Sequence, residues 1–440
     1  MRSGTERRVT VGIVGGGPAG SSLAIRLARL GHGVVIVTDG RTRYGLQGVS
    51  LRTLEALTEL KASETLHIVG SPVSRLVLWN GAEASPNDES LVDRSDFDRT
   101  LLRDAVNAGA ECIVATVRQT PGSSDRLKAV RRDGKSLDVA ATLWVDARGR
   151  SALHAAAIEA AGPPTLAVQQ HFRYAIGGAR SGIASVEDGW CWVGVREDGY
   201  GIMQYTTNRK RGALAGIGST DLPATLVDRY PALRRLLSRT HPTGAVRAYP
   251  AGLALVDADT CFRAGDARLA PDPLSGHGLY EALAGSLHMA AAVNTVLRTP
   301  KNATLAHRFV RERARERYAV LATMSARVHR EETRWSTQPF WAERREAPQT
   351  APTAPSAASI VRGAAVLDND RIVAADVVVT RDCPRGVWRV HDVPVVDLLR
   401  RLRGGQSLAA AAGALGVPLD RSTQAAHWLE RQGLGRNASP

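Results

Sequence analysis

The sequence predicts an α/β protein: a doubly wound, parallel-sheet domain, an antiparallel-sheet domain inserted into it, and a small C-terminal α+β module. Three observations carry that expectation. A short apolar run, "VTVGIV", passes through "GGGPAG" into the helically spaced "SSLAIRLARLGHG" and a second apolar run, "VVIV", which is the order strand, turn, helix, strand. Residues 166–250 alternate with period two instead and carry aromatics, in "LAVQQHFRYAI", "DGWCWVGVRED" and "YGIMQYTT". Beyond the Pro/Ala/Ser/Thr-rich "APQTAPTAPSAAS", the strand-like "RIVAADVVVT" and "GVWRVHDV" precede three helical stretches.

A chain of 440 residues exceeds one ordinary core, so several domains are expected. The boundaries drawn from composition are 1–165 with 246–300 for the first domain, 166–245 for the sheet, 301–346 for a long helix with an aromatic cluster, 347–359 for a linker and 360–440 for the module. A 44% hydrophobic and 23% charged composition is that of a soluble globular protein. The N-terminus enters a strand almost at once, and no apolar run reaches membrane-helix length, so cytoplasmic residence without membrane attachment is expected. Cys112, Cys191, Cys261 and Cys383 stand far apart without metal-ligand spacing; they read as buried thiols, and no metal site is expected. The net charge of +14 permits a polyanion partner, but lysines occur only at 61, 128, 135, 210 and 301, and the Arg bias is a matter of composition. The helical "SLAAAAGALGVPLD" offers no basic face for DNA, so nucleic acid is not the expected partner.

Gly15, Gly17 and Gly20 satisfy GxGxxG where a strand turns into a helix, with Pro18 and Ala19 completing the loop. Gly15 permits the tight turn, Gly17 lets a pyrophosphate approach the backbone, and Gly20 allows close helix packing. An acidic residue is expected at the end of the second strand to hold a ribose. Thr38 occupies that position, and Asp39, one residue further, is the candidate ligand.

The stretch "CFRAGDARLAPDPLSGHGLYEALAGS", residues 261–286, is a second glycine-rich turn into a helix, here beginning near Leu279. Asp266 is placed to accept sugar-like hydroxyls. The loop Pro271 to Gly278 presents backbone N–H groups to a partial negative charge. A flavin supplies both partners, a ribityl chain and a ring edge that becomes anionic on reduction. FAD is therefore the expected cofactor, held by Gly15, Gly17, Pro18, Ala19, Gly20, Asp39, Asp266, Pro273, Gly276, His277 and Gly278.

The pattern Gly265, Asp266, Asp272, Pro273, Gly276, Gly278 resembles the second FAD motif of the para-hydroxybenzoate-hydroxylase-like flavoproteins, which include aromatic hydroxylases, flavin-dependent halogenases and geranylgeranyl reductases. "LVDRSDFDRTLLRDAVNAGAE" is similar to that family's R-x-x-F-D-x-x-L helix, which borders the cofactor; the resemblance implies an FAD contact from Arg94 or Arg103, and Arg103 is taken as the site residue. Hydroxylases of the family carry a DG pair linked to NAD(P)H use where this chain has Asp146-Ala147, which leaves the electron donor open between NAD(P)H and a free reduced flavin. "GWCWVGV" resembles the W-x-W-x-I-P of tryptophan halogenases through Trp190 and Trp192, the candidate substrate residues, but "SPVSRLVLWNG" has no counterpart of the halogenase lysine.

Glu332, Arg334, Trp335, Phe340, Trp341 and Arg344 form E-x-R-W-x-x-x-x-F-W-x-x-R, which resembles the flavoproteins that mature tryptophylquinone enzymes. The likeness covers roughly residues 9–346. It implies a monooxygenase with dioxygen as co-substrate that hydroxylates tryptophan in a partner polypeptide through the C4a-hydroperoxide of reduced FAD. A roofed, apolar pocket would protect that chemistry from water. Candidates for a general base are His171, Glu187 and Asp188 in the expected roof. The C-terminal module resembles small winged-helix elements that bind a leader peptide as an added strand. The alternatives are a hydroxylase of a small aromatic compound, a halogenase, an isoprenoid reductase and, outside catalysis, a flavin-sensing DNA-binding regulator.

Overall fold

The computed structural model describes residues 7–41, 45–119, 121–122, 124–174, 178–209, 221–237, 240–256, 261–346 and 357–434. The chain divides into two compact units, 1–290 with 314–349 and 291–313 with 350–440.

In the first unit, β1 (Arg7–Val14) lies parallel between β2 (Val34–Thr38) and Ser136–Asp146. Glu111–Val114 extends the parallel sheet beyond β2, and Phe262–Arg263 joins Ser136–Asp146 in parallel. This is the Rossmann-like part of the fold. Its core comes directly from the apolar runs: Val11, Ile13, Val35 and Ile36 are fully buried. The helix α1 (Pro18–Arg29) begins with Pro at its first position and buries Leu23, Ala24, Ile25 and Leu27.

The second sheet of this unit runs Thr240–Pro242, Thr165–Tyr174, Tyr200–Asn208, Gly189–Val195, Arg180–Val186, Pro72–Trp79, Asp88–Asp93, Leu46–Val49. Four of its strands therefore come from residues before 95, the last three of that order and Ala82–Ala84 beside Pro72–Trp79, although all of 1–165 was expected in the first domain. The join is the one parallel pairing in it, Arg180–Val186 beside Pro72–Trp79. Alternation sorts the two faces. Val168, Cys191, Met203 and Tyr205 point to one side and pack under Leu222 and Leu226 of the helix Leu222–Arg229. Gln169, Trp190, Trp192 and Gln204 point to the other.

The Glu332-to-Arg344 motif clamps the chain onto this sheet. The Glu332 carboxylate is fully buried and accepts from Asn80 N (2.9 Å), Ser185 Oγ (2.6 Å) and Arg334 Nη2 (2.7 Å). Burial pushes that carboxyl up, but the bonds from Arg334 and Ser185 outweigh it and hold it below the usual range. Arg344 donates to Asn208 Oδ1 (2.5 Å) and Thr165 Oγ1 (2.7 Å), and burial lowers its guanidinium to about 10.

His329 is fully buried beside Phe340 and Trp341; its Nδ1 meets Ser325 O at 2.7 Å, and among the described residues Nε2 has no hydrogen-bond partner. Burial lowers its pKa below the ordinary 6.5, against an opposing pull from Asp272. The neutral ring thus supports the fold above the unfolded-state value, and that support fades as pH falls from about 6.5 toward the lowered one. His329→Phe is expected to remove this component: the difference in melting temperature between variant and native chain should shift in the variant's favour between pH 7.5 and 5.5. A difference that does not change with pH would contradict it.

In the second unit, Ser359–Asp368 and Arg371–Val379 form a hairpin, and Arg389–Val390 pairs with Val393–Pro394 through a two-residue turn with His391 and Asp392 at positive φ. Helices Val395–Arg403, Leu408–Leu415 and Leu419–Arg431 follow, packed on Val378, Val393 and each other through Leu398, Leu399, Ala411, Ala425 and Leu429. The expected linker falls largely on 347–356, outside the described residues. Cys383, expected buried, is exposed because it lies in the turn after Thr380, where its N–H bonds to Thr380 Oγ1; Cys112 is half-buried, and Cys191 and Cys261 are buried. Among the described residues no helix is long and apolar enough to cross a membrane, and no three His, Cys, Asp or Glu groups gather to hold a metal.

Candidate active site

A cavity of about 750 Å³ opens between the β1–α1 turn, the turn that ends in the helix Gly278–Arg298, and the polar face of the large sheet. That volume lies in the range of sites that enclose cofactor-sized ligands. Gly15, Gly17, Pro18, Ala19, Asp39, Asp266, Pro273, Gly276 and Gly278 line it, as do Trp190 and Trp192.

The glycines of the first motif differ in what a side chain would meet. Gly15 has φ +117°, and a Cβ there would lie 2.3 Å from Ala147 O. A Cβ on Gly20 would lie 1.9 Å from Gly15 O, so α1 is packed directly on the turn and Gly20 faces protein rather than the cavity. Gly17 has an ordinary φ of −79° and nothing within 4 Å of such an atom. Local packing does not require a glycine at 17; the open cavity in front of it does. Backbone N–H groups at the start of α1, with arginines 41, 94, 148 and 150 on the same cavity, make a donor set suited to a diphosphate.

Around that cradle the acidic residues are already oriented. Asp39 accepts from Arg41 N at 3.0 Å at the cavity rim, next to Thr38. Asp266 pairs with Arg150 Nε at 3.4 Å. Asp272 accepts from Leu274 N at 2.9 Å and sets the short turn Pro273–Ser275, which ends at Gly276 in the left-handed region (φ +62°) and leaves its Cβ position open. The N-terminus of Gly278–Arg298 then faces the cavity through Gly278, Leu279 and Ala282. Asp146 of the Asp146-Ala147 pair is fully buried and holds Arg148 (2.9 and 2.7 Å) and Arg263 (3.3 Å), so it orients a cavity arginine.

The remaining sequence candidates stand elsewhere. Arg103 points outward and pairs with Glu64 at 3.0 Å; it is Arg94, at the start of the same helix, that reaches the cavity, held by Asp98 (2.7 Å) and Gln47 (2.7 Å). His277 is not among the lining residues; among the described residues its buried Nδ1 has no hydrogen-bond partner, and burial lowers its pKa. Among the candidate bases, His171 contacts Tyr200 OH at 2.6 Å outside the cavity lining, and burial followed by Arg247 lowers its pKa. Glu187 is exposed and bonds Gln338 at 3.0 Å. Asp188 is taken up by Tyr205, Tyr230 and Arg229, with both phenols pushed up by burial and so kept as donors. None of the three lines the cavity.

The sequence reading passed over the sheet's polar contribution: Arg75, Glu89, Gln169, Gln204 and Tyr249. Gln169 Nε2 and Tyr249 OH donate to Gln204 Oε1 at 2.6 and 3.2 Å. The available signal was a polar residue on a period-two strand, such as Gln169 in "LAVQQHFRYAI", whose alternation places it opposite the apolar face.

Comparison with known proteins agrees with this geometry. Residues 8–209 match the FAD binding domain family. The solved structure of "Peptidyl tryptophan dihydroxylase QhpG essential for tryptophylquinone cofactor biogenesis" is 31% identical, with 97% of this chain and 99% of that one covered and a TM-score of 0.83. The flavin-dependent halogenase CmlS shares the fold at a TM-score of 0.72, with 21% identity and 97% and 95% coverage. A geranylgeranyl diphosphate reductase of Rhodobacter capsulatus is 28% identical over 316 residues, 67% of this chain and 77% of that protein. The chain thus belongs to the para-hydroxybenzoate-hydroxylase-like FAD-dependent monooxygenases, and it is similar along nearly its whole length to that peptidyl tryptophan dihydroxylase.

Proposed function

We propose that this monooxygenase adds oxygen to a tryptophan side chain of a partner polypeptide as a step in tryptophylquinone formation. The observation that carries the reading is the continuity of one cavity, from the Gly15–Gly17 turn to a wall built of Trp190, Trp192, Glu89 and Gln204. FAD, when bound and reduced, supplies an electrophilic oxygen from dioxygen, and indole carbons are electron-rich enough to receive it. Gly17, Asp266 and the Pro271–Gly278 loop would hold that cofactor, while Ile183 and Trp190 give the wall an apolar floor that excludes water. The 31% identity across nearly the whole of both chains supports the same substrate class. An isoprenoid reductase is disfavoured, because a hydrocarbon substrate gains nothing from a wall carrying Arg75, Glu89, Gln169 and Gln204.

The second unit is assigned to substrate capture. Among the described residues, the strand Ser359–Asp368 pairs only with Arg371–Val379; Gly363 O at its bulge accepts from Arg308 Nη2 at 2.7 Å, so the stretch offered for strand addition is the one beside Val361, which is 44% exposed.

The test is mass spectrometry of a tryptophan-bearing candidate polypeptide co-expressed with the full chain, with both NAD(P)H and free reduced flavin supplied. A gain of one or two oxygens on tryptophan, reduced by Val361→Lys at unchanged FAD content, is the expected result. No mass change with FAD-loaded protein would overturn the reading.

A further inference from the structure

On the sheet side of the cavity stands Glu89, with its side chain 11% exposed. Neighbouring strands fix one of its oxygens: Oε1 accepts from Ser181 Oγ and, at 3.2 Å, from the indole Nε1–H of Trp192, and Arg75 Nε lies 4.0 Å away. The other oxygen, Oε2, stands over Gly48, where a Cβ would come within 2.1 Å of it. Gly48 also lines the cavity, and among the described residues no group donates to Oε2. A carboxylate has about four acceptor positions, so a largely buried one bound on a single oxygen leaves its second oxygen with acceptor capacity.

We infer that Glu89 Oε2 accepts the indole N–H of the substrate tryptophan. The inference rests on the tryptophan reading above and names the group that recognises the side chain. Indole has one hydrogen-bond donor, and Trp192 already places that same donor on this carboxylate, so the chemistry of the contact is present in the fold. Bound there, the substrate's N–H is fixed and its ring carbons turn toward the flavin side of the cavity. The carboxylate also stabilises the positive charge that grows on an indole as a carbon–oxygen bond forms, in a site where water does not screen it. Glu89 is thus assigned both orientation and selection of indole over other aromatics.

The experiment uses the full-length, FAD-loaded, oxidised protein without reductant, so that no turnover occurs. N-acetyl-tryptophanamide and its N1-methyl analogue are titrated while the flavin absorbance reports occupancy. The native chain should bind the N–H compound about tenfold more tightly, the scale of one hydrogen bond to a charged group. Glu89→Ala and Glu89→Gln should bind both compounds alike, at the level of the methylated one, with FAD content unchanged. A merely structural role would weaken both probes equally and keep the native ratio in the variants, and that outcome overturns the assignment, as does a native chain that does not discriminate. A native chain that binds neither probe at millimolar concentration overturns the tryptophan reading itself.

Discussion

Gly17→Val is expected to leave the chain folded and to strip it of FAD. The backbone at Gly17 has φ −79°, which any residue adopts, and a Cβ there meets nothing within 4 Å. The added methyls project only into the cavity, where a pyrophosphate would have to approach the amides that open α1. Steric exclusion of about 3 kcal/mol corresponds to roughly a hundredfold weaker binding. Gly15→Ala and Gly20→Ala should fail differently. The first places a side chain at φ +117° against Ala147 O, and the second drives a Cβ to 1.9 Å from Gly15 O, so both cost the fold itself, by about 1–3 kcal/mol or more. The check pairs flavin absorbance of the purified variants with thermal melting of their FAD-free forms. FAD retained at full occupancy by Gly17→Val would show that no phosphate passes Gly17. A melting loss in Gly17→Val equal to that of Gly20→Ala would show that the glycine serves packing.

The nucleotide half was legible because its determinants are local. Three glycines between an apolar strand and an amphipathic helix specify a turn whatever the rest of the chain does, and the same holds for Asp272 capping the Pro273–Ser275 turn. The substrate half was legible only as a sheet. Alternation marks strands 166–250, but it carries no information on which distant strands complete the sheet, and Pro72–Trp79, Asp88–Asp93 and Leu46–Val49 joined it through long-range pairing. Arg75 and Glu89 went unread for that reason: without their strands' partners, neither shows which face it occupies. The choice of Arg103 over Arg94 shows a different loss. Nine residues are about two and a half helical turns, so the two arginines face opposite ways, and Asp98 together with Gln47 holds the one that meets the cavity. The Glu332–Arg344 motif was recognised as a family mark; its bonds to Ser185, Asn208, Thr165 and the carbonyls of Val186 and Glu187 show that it is also structural.

That clamp carries the second large effect: Trp341→Ala should cost about 3–5 kcal/mol, the range for emptying a buried aromatic site. Trp341 is fully buried, meets Trp79 edge-on at 5.5 Å and Phe340 at 5.2 Å, and donates Nε1–H to Val186 O and Glu187 O at 3.1 Å each. Truncation removes packing and leaves two carbonyls short of a donor, and a fold of this size should melt about 5–10 °C lower. Trp341→Phe keeps most of the packing and loses only the hydrogen bond, so its loss should be about a third as large or less. Trp341 also shares its cluster with Ile183 and Trp190, and both of those line the cavity. The alanine variant should therefore loosen the wall against which a substrate ring packs while leaving the Gly17 and Asp266 cradle in place. Melting of the FAD-loaded variants, with their flavin content and N-acetyl-tryptophanamide affinity, separates the two consequences. A drop in stability and probe affinity at full flavin content supports a clamp that braces the substrate wall; an equal drop in flavin content would make it a brace of the whole cavity, and a melting loss under about 1 kcal/mol would show that Ile183, Trp190 and Phe340 hold the wall without it.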